Sequence, residues 1–172
     1  MPNPAPVPPA ACARPLIEDL PGSQIREVAN AGLGLPDVLP FWFGEGDQAT
    51  LPVVRDSAIA SLQRGETFYS HNLGLPELRE QYAAYVRGVH GADVTAERVA
   101  ITSAGVSALM VAVQALVNAG DEVVVVEPVW PNLPAMPRIL GARVRTVALH
   151  AHGGRWQLDT DALLQAITPA TR

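Results

Sequence analysis

The sequence predicts an α/β protein built on parallel strands. Two observations carry that expectation. From residue 98 onward, β-branched runs near 99–102, 122–127 and 143–149 alternate with helical stretches over 105–118, 132–140 and the segment that follows Asp159. Strand and helix in strict alternation require parallel strands joined by right-handed crossovers. The middle run, Glu122–Glu127, is four valines between two glutamates. It is continuous instead of alternating, as in a strand covered on both faces.

The elements follow in order. Met1–Pro15 holds six prolines and is expected to be a disordered or polyproline-like arm. Residues 16–31 carry a short helical pattern around Ile25, Val28 and Ala29, broken by the Gly-Leu-Gly-Leu-Pro run at 32–36. Phe41-Trp42-Phe43 leads into the polar turn Gly44-Glu45-Gly46-Asp47. A helix opens at Pro52, with Ile59 and Leu62 on one face, and stops at Gly65. A second opens at Pro76, places Leu78, Tyr82, Tyr85, Val86 and Val89 at helical spacing, and stops at Gly88–Gly91. Between them lies the loop Phe68–Gly74. The stretch 105–118 is apolar nearly all round, the mark of a buried helix. Asp159 is placed to cap a final amphipathic helix through Ile167. The expected organisation is an arm over 1–15, a helical segment over 16–97 and a parallel-sheet domain over 98–172. Three strands are too few for such a sheet to cover its edges and faces, and the chain stops at Thr168–Arg172, where a further strand is expected to begin. It reads as cut.

Composition narrows the function classes. The 172 residues are 48% hydrophobic and 17% charged, with a net charge of −5. That range is globular, and the sign favours neither a nucleic-acid partner nor an anionic membrane surface. No apolar stretch approaches a membrane span, and the Pro- and Ala-rich start lacks the basic and apolar regions of a signal peptide. The single cysteine, Cys12, supports neither a disulfide framework nor a thiolate metal site. A reducing cytoplasmic location is expected. All twelve basic residues are arginines, so the chain contains no lysine.

Three constellations could carry chemistry. In Thr102-Ser103-Ala104-Gly105-Val106-Ser107 a run of small residues opens an apolar helix. The unpaired amides of a first helical turn and the positive helix end attract anions, and small side chains let a phosphate reach the backbone. The other reading is a Ser103 cap with Gly105 present for tight packing. The segment matches neither the dinucleotide glycine fingerprint nor a P-loop, which needs a lysine. In Glu127-Pro128-Val129-Trp130-Pro131 an indole follows the C-terminal end of a strand, where open α/β sheets place ligands. Trp130 could stack on a flat heteroaromatic ring, or be a core residue pinned by two prolines. Tyr69 either donates its phenol to an anion or packs on its loop. His71, His90, His150 and His152 lack metal-ligand spacing, no metal is expected, and Glu45 with Asp47 reads as a solvated turn.

Taken together these segments resemble the class I/II aminotransferases, pyridoxal 5'-phosphate (PLP) enzymes of fold type I related to aspartate aminotransferase. Phe43-Gly44-Glu45-Gly46-Asp47 with Leu51-Pro52 is similar to that family's Gly-Glu-Pro-Asp-x-x-x-Pro segment. Tyr69 through Gly74-Leu75-Pro76-Glu77-Leu78-Arg79 is similar to its Tyr-x-x-x-x-Gly-x-x-Glu-Leu-Arg signature. Ile101–Leu109, Gly120-Asp121-Glu122-Val123 and Pro128-Val129-Trp130 follow in the family's order. The resemblance runs from about Ser23 to Arg172.

The resemblance implies a partial fold type I architecture: the N-terminal segment plus the first β-α-β units of the large-domain parallel sheet. It implies that the amides of Ala104, Gly105 and Val106 hold the PLP phosphate, with one side-chain donor lost because Val106 stands where several relatives have a hydroxyl. It further implies that Trp130 stacks on the pyridine ring and that Gly44 lies near the substrate carboxylate. Tyr69 would reach the cofactor phosphate of a partner subunit, so a homodimer is part of the expectation. The implied activity is amino transfer between an amino acid and a 2-oxo acid, in amino-acid metabolism. The family's Schiff-base lysine and carboxylate-binding arginine fall beyond residue 172, so this polypeptide is expected to have no catalytic residue of its own and to be inactive alone. Alternatives are a PLP lyase or decarboxylase of the same fold, a PLP-binding transcriptional regulator, whose basic winged helix has no counterpart in the Pro-rich arm, and a relic without ligand.

Overall fold

The computed structural model describes residues 13–172. The arm expected over 1–15 lies outside the described residues as far as Cys12. Its last residue, Pro15, opens a short helix, α1 (Pro15–Glu18). The chain divides into two compact units: one of residues up to Trp42 together with Met110–Arg172, the other Phe43–Leu109.

In the first unit, α1 is tied by the Arg14 guanidinium, which donates to the Ile139 carbonyl at 3.1 Å. Helix α2 (Gln24–Gly32) starts because the Ser23 hydroxyl accepts the Arg26 amide, satisfying one orphan donor of the first turn. The sheet follows. Strand β1 (Glu122–Glu127) pairs in parallel with β2 (Arg143–His152), in register from Glu122 opposite Arg143 to Glu127 opposite Ala148. The crossover helix (Asn132–Ile139, α6 in chain order) buries Pro134, Met136 and Pro137. With Ala29, Val125, Ala142 and Val147 these form the core of this unit. Burying one such side chain as large as Met136 stabilises by about 1.5–3 kcal/mol.

Strand β3 (Arg155–Leu158) then turns back antiparallel on β2, Leu149 opposite Leu158 and His152 opposite Arg155. Gly153 and Gly154 make the two-residue turn, both with positive φ (58° and 73°), the geometry that matches strand twist. The sheet is therefore mixed, in the order β1-β2-β3, where sequence had led us to expect parallel strands only. Helix α7 (Thr160–Ala166) is capped as expected, the Asp159 carboxylate accepting the Ala162 amide at 2.9 Å. Beyond it the chain returns to the free edge of β1. The Glu122 amide donates to the Ala170 carbonyl and the Arg172 amide to the Glu122 carbonyl, forming one parallel bridge with Thr171.

The second unit holds α3 (Pro52–Gln63) and α4 (Pro76–His90), each with proline in its first turn, and a 3-10 turn at Ala96–Arg98. Gly91 ends α4 in the left-handed conformation, its amide bonded to the Arg87 carbonyl. Ala83 and Val99 are its buried apolar residues. The strand expected near 99–102 does not form. Its polar groups go elsewhere: the Val99 carbonyl accepts from Arg79, and the Ile101 amide donates to the Leu73 carbonyl at 2.9 Å. No ladder partner is left to define a strand.

Helix α5 (Gly105–Leu116) begins in this unit and ends in the other. Its apolar sequence led to the expectation of burial, yet none of its residues is buried, and Leu116 is 68% exposed. In β1 only Val125 is buried, not both faces throughout. A sheet of three strands, one of them four residues long, offers little surface to cover elements that are apolar on several sides.

Candidate cofactor-phosphate site

The turn into α5 is built from its hydroxyls and its amides. The Thr102 hydroxyl donates to the Ala104 carbonyl at 2.8 Å, and the same carbonyl accepts the amides of Ser107 and Ala108 at 3.0 and 3.1 Å. Those are the first donors that find an acceptor at the start of the helix. The amides of Gly105 and Val106 precede them and have no acceptor within it. The Ser103 and Ser107 hydroxyls lie 3.3 Å apart beside this turn. A Cβ added at Gly105 would meet nothing within 4 Å, so tight packing is not what calls for glycine there. The result is an exposed first turn with main-chain donors and two serine hydroxyls at the positive end of a helix. The helix end favours an anion by about 0.3–1 kcal/mol at the surface, and directed N–H bonds add to that.

Gly44 and Tyr69 belong to the same unit as Ala104, Gly105 and Val106. Tyr69 is fully exposed on the loop between α3 and α4, and Gly44 is open on its side-chain face. Neither is drawn into a packed cluster within this unit. Trp130 belongs to the other unit, just past the end of β1, with its carbonyl accepting the Leu133 amide at 3.0 Å. Its side chain is 46% exposed, which makes it a surface indole and not a core residue. The His71 imidazole is occupied locally, its Nδ1 accepting the Leu73 amide at 3.1 Å. Among the described residues no group of three His, Cys, Asp or Glu side chains could hold a metal ion, and no helix is long and apolar enough to cross a membrane.

The model of the aminotransferase class I and II family matches residues 36–172. The chain belongs to this family. The Thermus thermophilus aspartate/prephenate aminotransferase is 36% identical over 79% of this chain and 35% of its own length. Among solved structures, Thermus thermophilus aspartate aminotransferase with maleate superposes at a TM-score of 0.85, with 32% identity, over 93% of this chain and 43% of that one. N-succinyldiaminopimelate aminotransferase from Mycobacterium tuberculosis does so at 0.72, with 33% identity, over 76% and 34%. The chain thus spans about a third of the length of the curated relatives it matches. Class I and II aminotransferases are PLP-dependent enzymes of fold type I, and the sheet and helices of this chain are part of that fold.

The residues present fit one part of that cofactor. The open turn at Gly105, with its flanking serines, suits a phosphate ester. The amine that would hold the aldehyde end is not supplied, because the chain has no lysine. One residue of this unit escaped the reading of the sequence. Arg79 sends its guanidinium to two main-chain carbonyls of the segment that precedes the turn, and its place in the Glu77-Leu78-Arg79 motif was the only signal for it.

Proposed function

We propose that the protein acts in PLP-dependent amino transfer between an amino acid and a 2-oxo acid, and that residues 104–106 bind the cofactor's phosphate. The observation that carries this reading is the open first turn of α5, where glycine is required by neither backbone conformation nor packing and leaves the amides accessible. Bound PLP supplies an electron sink for the bond-breaking at the amino acid's α-carbon.

This chain's residues bind and orient. The Ala104, Gly105 and Val106 amides hold the phosphate oxygens, with the Ser103 and Ser107 hydroxyls as further donors. By the family resemblance, Trp130 stacks on the pyridine ring, Gly44 lies beside the substrate carboxylate, and Tyr69 reaches the phosphate in a partner subunit of a homodimer. A cytoplasmic setting goes with this reading. Proton movement at the substrate needs a lysine amine, which residues 1–172 cannot provide, so the chain alone is catalytically silent. A lyase or decarboxylase of the same fold is not favoured, since the relatives named above are aminotransferases. Equilibrium dialysis with PLP tests the proposal. Saturable binding that inorganic phosphate competes for, and that Ser103→Ala with Ser107→Ala weakens, is the expected result. Binding indifferent to both would overturn it.

A further inference from the structure

We propose that Arg79, together with Gly74, is a positioning residue for the phosphate-binding turn, setting the direction of its amides without touching the ligand. The proposal rests on the reading of residues 104–106 as the phosphate site. Residues 96–102, which lead into that turn, have no strand partner to hold them. Contacts from the stretch 73–79 hold them instead. The Ile101 amide bonds to the Leu73 carbonyl at 2.9 Å. Gly74, at φ +95°, lies so close beneath Ile101 that an added Cβ would sit 2.6 Å from the Ile101 Cβ. Arg79 Nε donates to the Val99 carbonyl at 2.8 Å and its Nη2 to the Ala96 carbonyl at 2.7 Å.

A guanidinium is a rigid planar fork, and two carbonyls bound to it are fixed in orientation as well as place. From Val99 the constraint passes along a short path. Ile101 is pinned to Leu73 and Gly74, and the Thr102 hydroxyl is bonded to the Ala104 carbonyl, which is also the first acceptor of α5. The amides that would face a phosphate come next in the chain. Hydrogen bonds weaken steeply when the donor angle closes, so a small rotation of this turn lowers phosphate affinity while leaving the rest of a ligand's contacts alone.

The test separates phosphate-directed effects from general loss of structure. Dissociation constants for PLP and for pyridoxal, which lacks the phosphate, are measured by equilibrium dialysis on the parent protein and on R79M, R79K, G74A and V106P. Proline at position 106 removes one amide donor in the first turn of α5. The parent is expected to prefer PLP. R79M is expected to lose about tenfold of that preference while pyridoxal affinity stays within about twofold, with R79K between parent and R79M because one carbonyl bond survives. G74A is expected to follow R79M. If R79M loses its helical circular dichroism, R79K carries the comparison. Equal losses for PLP and pyridoxal in the Arg79 variants, or an unchanged preference in them while V106P lowers it, would overturn the positioning role alone. A parent without preference for PLP, or V106P with the parent's preference, would overturn the phosphate reading itself.

Discussion

The Thr168 hydroxyl donates to the Glu122 carboxylate at 2.7 Å, joining residues 46 apart in sequence. Glu122 also faces the guanidinium groups of Arg143 and Arg145 at 3.5 and 3.6 Å, and its side chain is largely covered. Asp121 beside it faces Arg172 at 3.7 Å. These contacts fasten the last five residues to the start of β1, alongside the main-chain bridge at Thr171.

The Glu122 carboxyl is thereby held below its ordinary value of 4.5, first by the Thr168 hydroxyl and then by the charges of Arg145 and Arg143. A carboxyl with a lowered pKa in the folded state stabilises that state above the unfolded pKa, and the benefit is lost as pH falls through the folded value. Thermal melts of the parent and E122Q should therefore differ most above the ordinary carboxyl value of 4.5 and converge as the pH falls below it through the lowered folded-state value. A difference that widens on acidification would contradict the latch.

At the other end of β2, replacing Gly153 and Gly154 together by alanine should unravel the hairpin locally. Each residue sits at positive φ, where a side chain costs about 1–2 kcal/mol. Because all four residues of β3 are exposed, the melting temperature should hardly move. The check is hydrogen exchange at residues 149–158. It should accelerate there, while exchange in β1 is unchanged.

Met136 is 5% exposed and packs in the core of the sheet unit with Val125 and Val147. Met136→Ala should destabilise that unit by about 2–5 kcal/mol through lost burial and the cavity left behind. Urea unfolding measures it. A loss below about 1 kcal/mol would mean that the surrounding side chains collapse into the space.

Much of this was legible from local signals. Pro76 and Gly91 bound α4 and Asp159 caps α7 through rules that act over a few residues, and the valine run marks β1, which pairs in parallel with residues 143–148. The start of α5 at Gly105 was legible for the same reason: small residues opening an apolar helix. What failed was decided at longer range. Residues 99–102 have a strand's composition, but their partners are Leu73 and Arg79, which local pattern does not reveal. Arg79 itself binds carbonyls 17 and 20 residues away, so the Glu77-Leu78-Arg79 motif marks the residue without revealing what it holds. The Gly153-Gly154 turn was available as a hairpin signal. The run after it, Arg155–Leu158, is short and exposed, with little apolar alternation to mark a strand.

Trp130 offers a direct probe of the ring-binding role. Its 46% exposure leaves the indole accessible to a ligand. Trp130→Ala should weaken PLP binding by about 0.5–1.5 kcal/mol beyond the lost burial, the usual worth of ring stacking. It should also leave the stability of the core formed by Val125, Met136 and Val147 almost unchanged. Parent-like affinity in Trp130→Ala would remove Trp130 from the cofactor's surroundings.

The last prediction concerns residues 1–172 by themselves, which should show no transaminase turnover with PLP, an amino acid and a 2-oxo acid. The reason is chemical: amino transfer needs a positioned primary amine, both to hold the cofactor's aldehyde and to move the substrate's α-proton. All twelve basic side chains here are guanidinium groups, which stay protonated at any working pH and do neither task. The α-amine of Met1 is the one primary amine available, with a pKa of about 7.7–8.0. It could condense weakly with PLP at high concentration, but effective catalysis requires the reacting groups to be held about 3–3.5 Å apart. The measurement follows product formation, together with borohydride trapping and peptide mapping of any retained cofactor. Trapping confined to Met1, with no product, is the expected result. Turnover, or cofactor fixed at any other residue, would mean that a group other than lysine performs this chemistry in the chain.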